Sequence, residues 1–307
     1  MTGSRQDTKV IGALAVALSA MLWGVDGVLL TPQLYNLNTA FVVFVVHLFP
    51  FLLMNIFFFK EYRHLKYMTH SDLLYFSLIA LFGGALGTLA IVKSLFLLHF
   101  NHLSVVVLLQ KLQPVFAVVL ARIILKERIK RHFALWAGIA LIAGYFLTFG
   151  WSLPDFSAEG ITTVYAALLS LLAAFSFGSS TVFSKKILGR YSFVTSTFFR
   201  YGFTTLIMLI IVLVAGQLGD FTQVTQRNWL FIALIGLTTG SGAIFLYYYG
   251  LRHVRASLST FLELMYPITA VVLDYFVNKT VYSPVQWTAA FVMLFAIVML
   301  NVDTEKK

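Results

Sequence analysis

Cysteine is absent from this chain of 307 residues. Without thiols, the protein has neither disulfides nor thiolate sites for metal or redox chemistry. Charged residues are scarce as well, at 11% of the sequence against about 25% in an average soluble domain. The chain also lacks the GxxxxGK[ST], HExxH and GxSxG motifs of nucleotide-binding and hydrolytic enzymes. The sequence therefore predicts no cofactor, no metal site and no catalytic residue, and we do not expect an enzyme.

Apolar residues dominate instead, at 60% of the chain, with a mean hydropathy of +0.88. They form runs of roughly the 17–25 residues that a membrane-crossing helix needs, without the alternation of a barrel wall. We predict an all-α polytopic membrane protein with ten transmembrane helices. The runs are residues 10–30, 39–59, 73–98, 102–125, 132–150, 161–184, 193–216, 228–250, 256–277 and 284–302. The first run has the small residues of a signal-peptide cleavage site, but it continues to Leu30, so we interpret it as a retained helix.

The net charge of +10 is unevenly distributed along the chain. Basic residues gather at both termini and in alternate loops, at residues 60–66, 126–131, 185–190 and 252–255. Because Lys and Arg concentrate in cytoplasmic loops, this pattern predicts that both termini are cytoplasmic, in a bacterial inner (plasma) membrane. We therefore expect membrane lipid, and not nucleic acid, as the partner of the basic face. The sequence carries no signal for oligomeric state.

Shifting the chain against itself by 153 residues brings helix-shaping residues into register. The pairs are Gly83 with Gly236, Gly87 with Gly240, and Pro114 with Pro267. Each half, residues 1–152 and 153–307, then holds five helices, and an odd number makes the second half enter the membrane from the opposite side. Inverted repeats recur in secondary transporters, whose substrate site lies near the midplane between repeats. The glycines form GxxxG pairs, which predict close helix packing.

The fourth and ninth helices each carry costly residues near their middle. Lys111 lies between Gln110 and Pro114, and Glu263 precedes Pro267 by four residues. A lysine at a helix centre costs roughly 2.5–3.5 kcal/mol, and a proline removes a helix hydrogen bond. Interrupted helices at matching places point to a transporter site, so we predict that Lys111, Gln110 and Glu263 bind substrate. The alternative is that the prolines only kink the helices and that Lys111 pairs structurally with Glu263.

Other polar and aromatic residues lie within the apolar runs. Arg200 can grip a carboxylate or phosphate, and His47 titrates near neutral pH when unperturbed. The candidates for proton coupling are Glu263, Asp26 and His47. Trp23 and Tyr247 could stack on a ligand. The alternatives are a hydrogen-bonded packing role for His47 and an interfacial position for Asp26 and for the aromatic residues.

These features resemble the EamA-type members of the drug/metabolite transporter superfamily over nearly the whole chain. The resemblance is carried by the two five-helix units, by LWG at residues 22–24, by LQPVFAVVLARIILKERI at 112–129 and by HFALWAGIALIAGY at 132–145. Residues 125–127 look like the family's Gly-Glu turn, whereas the second unit has VNKTVYS and no matching Glu. The resemblance implies alternating access around a central cavity and cargo such as amino acids, often exported and sometimes coupled to protons.

We therefore predict a secondary active exporter of a small polar metabolite, with an amino acid as the first candidate. Lys111 and Arg200 would hold a carboxylate, and Glu263 an amine or a proton. Anionic or nucleoside-type cargo, such as a nucleotide-sugar or S-adenosylmethionine, stays open because relatives carry both. Two other classes are a membrane-embedded receptor or scaffold and a lipid enzyme, although the intramembrane His and acidic residues are too dispersed for a catalytic cluster.

Overall fold

The computed structural model describes residues 2–100, 103–124, 126, 132–153, 160–254, 259, 262–279 and 281–305. This part of the chain is helical and contains no strand. Its α-helices are α1 Thr2–Val25, α2 Thr39–Phe58, α3 His70–Ile79, α4 Gly87–Leu97, α5 Leu103–Gln110, α6 Gln113–Ile124, α7 Phe133–Phe149, α8 Gly160–Leu188, α9 Phe193–Val214, α10 Gln226–Ile235, α11 Ser241–His253, α12 Met265–Val277 and α13 Pro284–Glu305. Residues 127–131 and 255, which carry part of the predicted basic loops, lie outside the described residues.

Seven helical stretches among the described residues are long and apolar enough to cross a membrane. They are Thr8–Leu34, Thr39–Tyr67, His70–Leu97, Val106–Ile124, Gly160–Leu188, Phe193–Val214 and Gln226–His253. The remaining predicted runs correspond to α7, α12 and α13, whose apolar helical segments are shorter. The all-helical, polytopic part of the prediction is confirmed, and the number of ten crossings stays a prediction.

The fourth and ninth runs both leave the α-helix at their polar residues. Helix α5 ends at Gln110 and α6 begins at Gln113, while the ninth run is interrupted at residues 263–264 before α12 begins. Pro114 and Pro267 lie in the first turns of α6 and α12, where a helix does not use the missing proline N–H. Each proline therefore fits the start of a new helical segment.

The third and eighth runs change helix type at their glycines. A π-helical segment, Ala80–Leu86, joins α3 to α4, and a second one, Gly236–Gly240, joins α10 to α11. The glycines allow close contact: a Cβ on Gly83 would lie 2.1 Å from Ser180 Oγ of α8. A third π-helical segment, Asp26–Leu30, extends α1. Such segments widen the helix locally and are frequent at functional sites.

Helix packing relates the two halves of the chain. Helix α1 packs against α11 and α12, and α8 packs in the same way against α4 and α6. Helix α2 packs against α9, and α7 against α13. Each of these contacts therefore joins a helix of residues 1–152 to a helix of residues 153–307.

The two ends of the bundle are tied by different side chains. Thr69 and Asp72 form a capping box at the start of α3, and Arg190 Nη1 donates to Asp72 at 2.6 Å. Tyr191 also donates to Asp72, and the pKa of the Tyr191 phenol is raised by burial and by this carboxylate, so the hydroxyl stays a donor at neutral pH. At the other end, Thr225 and Asn228 form a capping box at the start of α10. Asn228 Nδ2 also donates to the Asn36 side chain at 2.9 Å and to the Gln33 carbonyl at 3.0 Å.

Candidate substrate cavity

A cavity of about 200 Å³ lies between the two halves, beside both helix breaks. It brings together residues that are far apart in the sequence. Its lining includes Trp23, Asp26, His47, Gln110, Lys111, Arg200, Tyr247 and Glu263, which are the predicted binding and proton-coupling residues. Gly83 and Gly240 of the π-helical segments also face it. Lys93, another lysine within an apolar run, is exposed and lines a separate surface pocket.

Lys111 and Glu263 form an ion pair across the two breaks. The Lys111 Nζ lies 3.8 Å from Glu263 Oε2, and the two side chains are 3% and 4% exposed. The ammonium also lies over the ring of Tyr266, 4.6 Å from its centroid. Two charges removed from water need each other and further hydrogen bonds to offset their desolvation. The pairing assumed in the structural alternative is therefore present, and it lies at the wall of the cavity.

Three further groups hold the Glu263 carboxylate. Gln113 Nε2 donates to Oε2 at 3.1 Å, and the hydroxyls of Tyr247 and Ser259 donate to Oε1 at 2.9 Å and 3.4 Å. Thr181 in turn shares hydrogen bonds with Gln113 and Tyr247. Hydrogen bonds to an ionised acceptor are stronger than neutral ones. This network holds the Glu263 side chain in place and connects four of the predicted crossings.

Arg200 is buried and anchored to the other half of the chain. Its Nη2 donates to the carbonyl of Gly83 at 2.8 Å, and its Nη1 donates to the hydroxyl of Tyr248 at 3.0 Å. The Tyr248 hydroxyl lies 2.7 Å from Ser184 Oγ. Arg200 Nε is buried and has no hydrogen-bond partner in the described part of the chain. The guanidinium therefore supports the π-helical segment, and its Nε is left without an acceptor among the described residues.

The other predicted polar residues differ in how far their hydrogen bonds are satisfied. His47 Nδ1 donates to the Val43 carbonyl at 2.8 Å, and Asp26 accepts from Thr31 Oγ1 at 3.3 Å. Gln110 Oε1 is buried without a hydrogen-bond partner among the described residues. An unsatisfied buried acceptor costs about 1–3 kcal/mol, and such groups in a native structure call for an explanation.

Aromatic rings line much of the cavity. The rings of Trp23 and Tyr247 meet with centroids 5.3 Å apart at 58°. Tyr266, Tyr201 and Phe177 also contribute to the lining. These rings present flat apolar faces beside polar groups, which suits a ligand that combines an aromatic system with hydrogen-bonding substituents.

Several lining residues were not predicted from the sequence. Gln113 was visible as an amide within an apolar run, and its distance of three residues from Gln110 could have indicated a shared face. Thr181 and Tyr266 carried no comparable signal, because threonines often bond their own helix backbone and tyrosines are common at membrane surfaces. The binding roles assigned to the predicted residues stay predictions.

Comparison with known proteins gives the family of the chain. The EamA-like transporter family matches over residues 10–149 and 164–302. The riboflavin transporter ImpX of Fusobacterium nucleatum is 51% identical over 296 residues, which cover 96% of this chain and 99% of that protein. A protein of known crystal structure superposes with a TM-score of 0.58 at 15% identity, covering 98% of this chain and 96% of its own; this likeness shows a shared fold. The chain therefore belongs to the EamA-like transporter family, as an integral membrane transporter of a small metabolite and not an enzyme.

Proposed function

We propose that this protein is a secondary transporter of riboflavin that works by alternating access through the central cavity. The observation that carries the proposal is the 51% identity, over nearly the full length of both chains, to a protein named a riboflavin transporter. Transport of an amino acid, the first candidate from the sequence, has no support from that comparison. Riboflavin instead joins a planar tricyclic ring to a polyhydroxylated chain, and it is uncharged at neutral pH.

The cavity suits both parts of this molecule. The rings of Trp23, Tyr247 and Tyr266 offer faces on which an isoalloxazine ring can stack. The unused acceptor of Gln110 and the unused donor of Arg200 can pair with its ring N–H and carbonyl groups or with the ribityl hydroxyls. Glu263, Asp26 and His47 are the proposed proton-coupling groups.

The proposed architecture is ten crossings in two inverted units, residues 1–152 and 153–307. Matching features at the sequence offset of 153 support it. Lys126 and Lys279 both adopt a left-handed backbone with φ of 56°, an uncommon conformation for a residue other than glycine. The reciprocal packing of α1 and α8, and the two π-helical glycine segments, agree with the same relationship.

The proposed orientation places both termini on the cytoplasmic side of a bacterial inner membrane. The end bearing Arg190 and Asp72 would then be cytoplasmic, and the end bearing Asn36 and Asn228 would face outward. The excess of basic residues in the loops near Arg190 supports this assignment. Export and import both remain compatible with the proposal, because alternating access runs in the direction of the driving gradient.

Counterflow in proteoliposomes tests the proposed cargo. Vesicles loaded with unlabelled riboflavin should accumulate labelled riboflavin from outside, whereas vesicles loaded with amino acids or nucleotide-sugars should not. The Lys111→Met protein should lose this exchange, while Lys93→Met, which removes an exposed lysine outside the cavity, should keep it. Exchange of an amino acid without riboflavin exchange would overturn the proposal, and binding without any exchange would favour a receptor.

An imposed pH gradient tests the proton-coupling assignment by itself. If the gradient leaves net riboflavin uptake unchanged, that assignment is wrong and the proposed cargo is unaffected.

A further inference from the structure

We infer that the cavity selects the uncharged flavin and rejects its phosphorylated forms, through the pairing of Lys111 with Glu263 and the carboxylate of Asp26. This inference rests on the proposed transport of riboflavin. Among the described residues that line the cavity, the cations are Lys111 and Arg200 and the acids are Asp26 and Glu263, beside the imidazole of His47. When both acids are ionised the two signs balance, and the cavity then offers no surplus positive charge to an anion.

Both cations are already engaged by groups of the protein. Lys111 is engaged by Glu263 at 3.8 Å and lies over the Tyr266 ring. Both terminal nitrogens of Arg200 already donate, one to the Gly83 carbonyl and one to Tyr248. A phosphate is gripped best by the paired N–H groups of a guanidinium. Two of the five N–H groups of Arg200 already donate to neutral oxygen atoms of the protein, so a phosphate would meet a guanidinium that these two contacts hold in place.

Asp26 adds a repulsive element to the same wall. Its hydrogen-bond partner within the described residues is the neutral Thr31 hydroxyl at 3.3 Å. A flavin mononucleotide carries about −1.5 to −2 charges on its phosphate at neutral pH. To bind, it would have to displace Glu263 from Lys111 or leave its own charge unpaired near Asp26. Specific sites often discriminate by such repulsion as well as by attraction.

Competition binding on the purified full-length protein in detergent tests this inference. Three unlabelled competitors are titrated against labelled riboflavin. They are riboflavin, its 5′-phosphate, and lumiflavin, which is uncharged and lacks the ribityl chain. For the natural sequence we expect the phosphate ester to bind at least about tenfold more weakly than riboflavin, because an unpaired charge in a buried site is costly. Lumiflavin, being uncharged, should compete better than the phosphate ester.

Charge-altering variants connect the selectivity to the named residues. Glu263→Gln keeps a side chain of the same shape but releases the Lys111 charge, so the affinity ratio of phosphate ester to riboflavin should rise by about tenfold or more. The double variant Lys111→Met/Glu263→Gln removes both charges and should return the ratio toward its original value. Asp26→Asn removes one negative charge on a different helix and should shift the ratio in the same direction as Glu263→Gln. The test therefore stays valid if one of the two variants fails to fold.

Asp274→Asn is the matched control. Asp274 is a buried acid on α12, in the same predicted crossing as Glu263, and it accepts from Asn278 and Tyr282 outside the cavity lining. The substitution changes the net charge by the same amount, and the affinity ratio should not move.

The possible results separate this inference from the proposed function. Equal binding of riboflavin and its phosphate ester would overturn the selectivity and leave riboflavin transport intact. If the protein discriminates but none of the Glu263 and Asp26 variants changes the affinity ratio, the assignment of the selectivity to these charges is overturned. A protein that binds neither flavin but exchanges another metabolite would overturn the proposed function, and the inference with it.

Discussion

The ammonium of Lys111 and the carboxylate of Glu263 meet 3.8 Å apart at the two interrupted helices of the opposite halves. Both groups would be costly on their own near the middle of a membrane. Their pairing joins the breaks into one charged wall of the cavity. Both groups line the cavity, so the pair borders the space between the two halves.

We expect Lys111→Met to destabilise the protein by about 3–5 kcal/mol, because it leaves the Glu263 charge buried without its partner. Lys111→Met/Glu263→Gln should recover most of the loss, since the uncompensated charge is gone. Thermal unfolding in detergent measures both effects. A single variant no less stable than the double variant would show that the pair is not coupled in the folded protein.

Gly83→Ala should disrupt the contact between the third and sixth predicted crossings. The new methyl group would lie 2.1 Å from Ser180 Oγ and 3.1 Å from Arg200 Nη2, and overpacking of this kind costs about 1–3 kcal/mol. Gly138→Ala is the matched control on α7, where a Cβ meets nothing within 4 Å. It should be neutral or stabilising, by up to about 1 kcal/mol. Equal thermal midpoints for the two variants would contradict the close approach at Gly83.

Gln110→Leu should weaken riboflavin binding by about fivefold to tenfold, because a donor group of the bound riboflavin would lose the amide oxygen that accepts from it. The unfolding temperature of the empty protein should not fall, since this oxygen has no partner in the described part of the chain. Gln217→Leu serves as a control, because its buried amide oxygen is likewise without a partner there but lies outside the central cavity. Calorimetric or fluorescence titration with riboflavin measures the difference, and unchanged affinity in Gln110→Leu would remove this residue from the binding site.

The proposed inverted repeat predicts that equivalent turns lie on opposite membrane faces. Because the natural chain has no cysteine, Lys126→Cys and Lys279→Cys each introduce a single thiol. An impermeant maleimide should label the Lys279→Cys protein from outside intact cells and the Lys126→Cys protein only after the membrane is opened. Labelling of both from the same side would exclude two antiparallel units.

The sequence was informative where residues are costly in a membrane. A buried charge or a broken helix requires a compensating contact. For this reason the sequence could predict a cavity beside Lys111, Pro114, Glu263 and Pro267. The π-helical segments were not predicted, because the motif at Gly83 and Gly87 indicates close packing but carries no signature of a changed hydrogen-bond register.

The contact partners of the predicted residues could not be predicted from the sequence either. Nothing in the order of residues shows that Arg200 meets Tyr248 and the Gly83 carbonyl, since these contacts depend on how three helices are rotated against one another. The cargo is a still finer property, because it depends on the shape and charge balance of the assembled cavity. The expectation of an amino acid came from mixed charges in the apolar runs, whereas two of those charges, on Lys111 and Glu263, neutralise each other.

Protection of a cavity thiol by riboflavin tests most directly whether this molecule occupies the site. Thr88→Cys places a thiol of similar size at the cavity wall, and Lys126→Cys places one at an exposed position outside it. We predict that saturating riboflavin slows alkylation of the Thr88→Cys protein by a small permeant reagent and leaves the rate for Lys126→Cys unchanged. Equal alkylation rates of the Thr88→Cys protein with and without riboflavin, in a protein that still exchanges riboflavin, would contradict passage through this cavity.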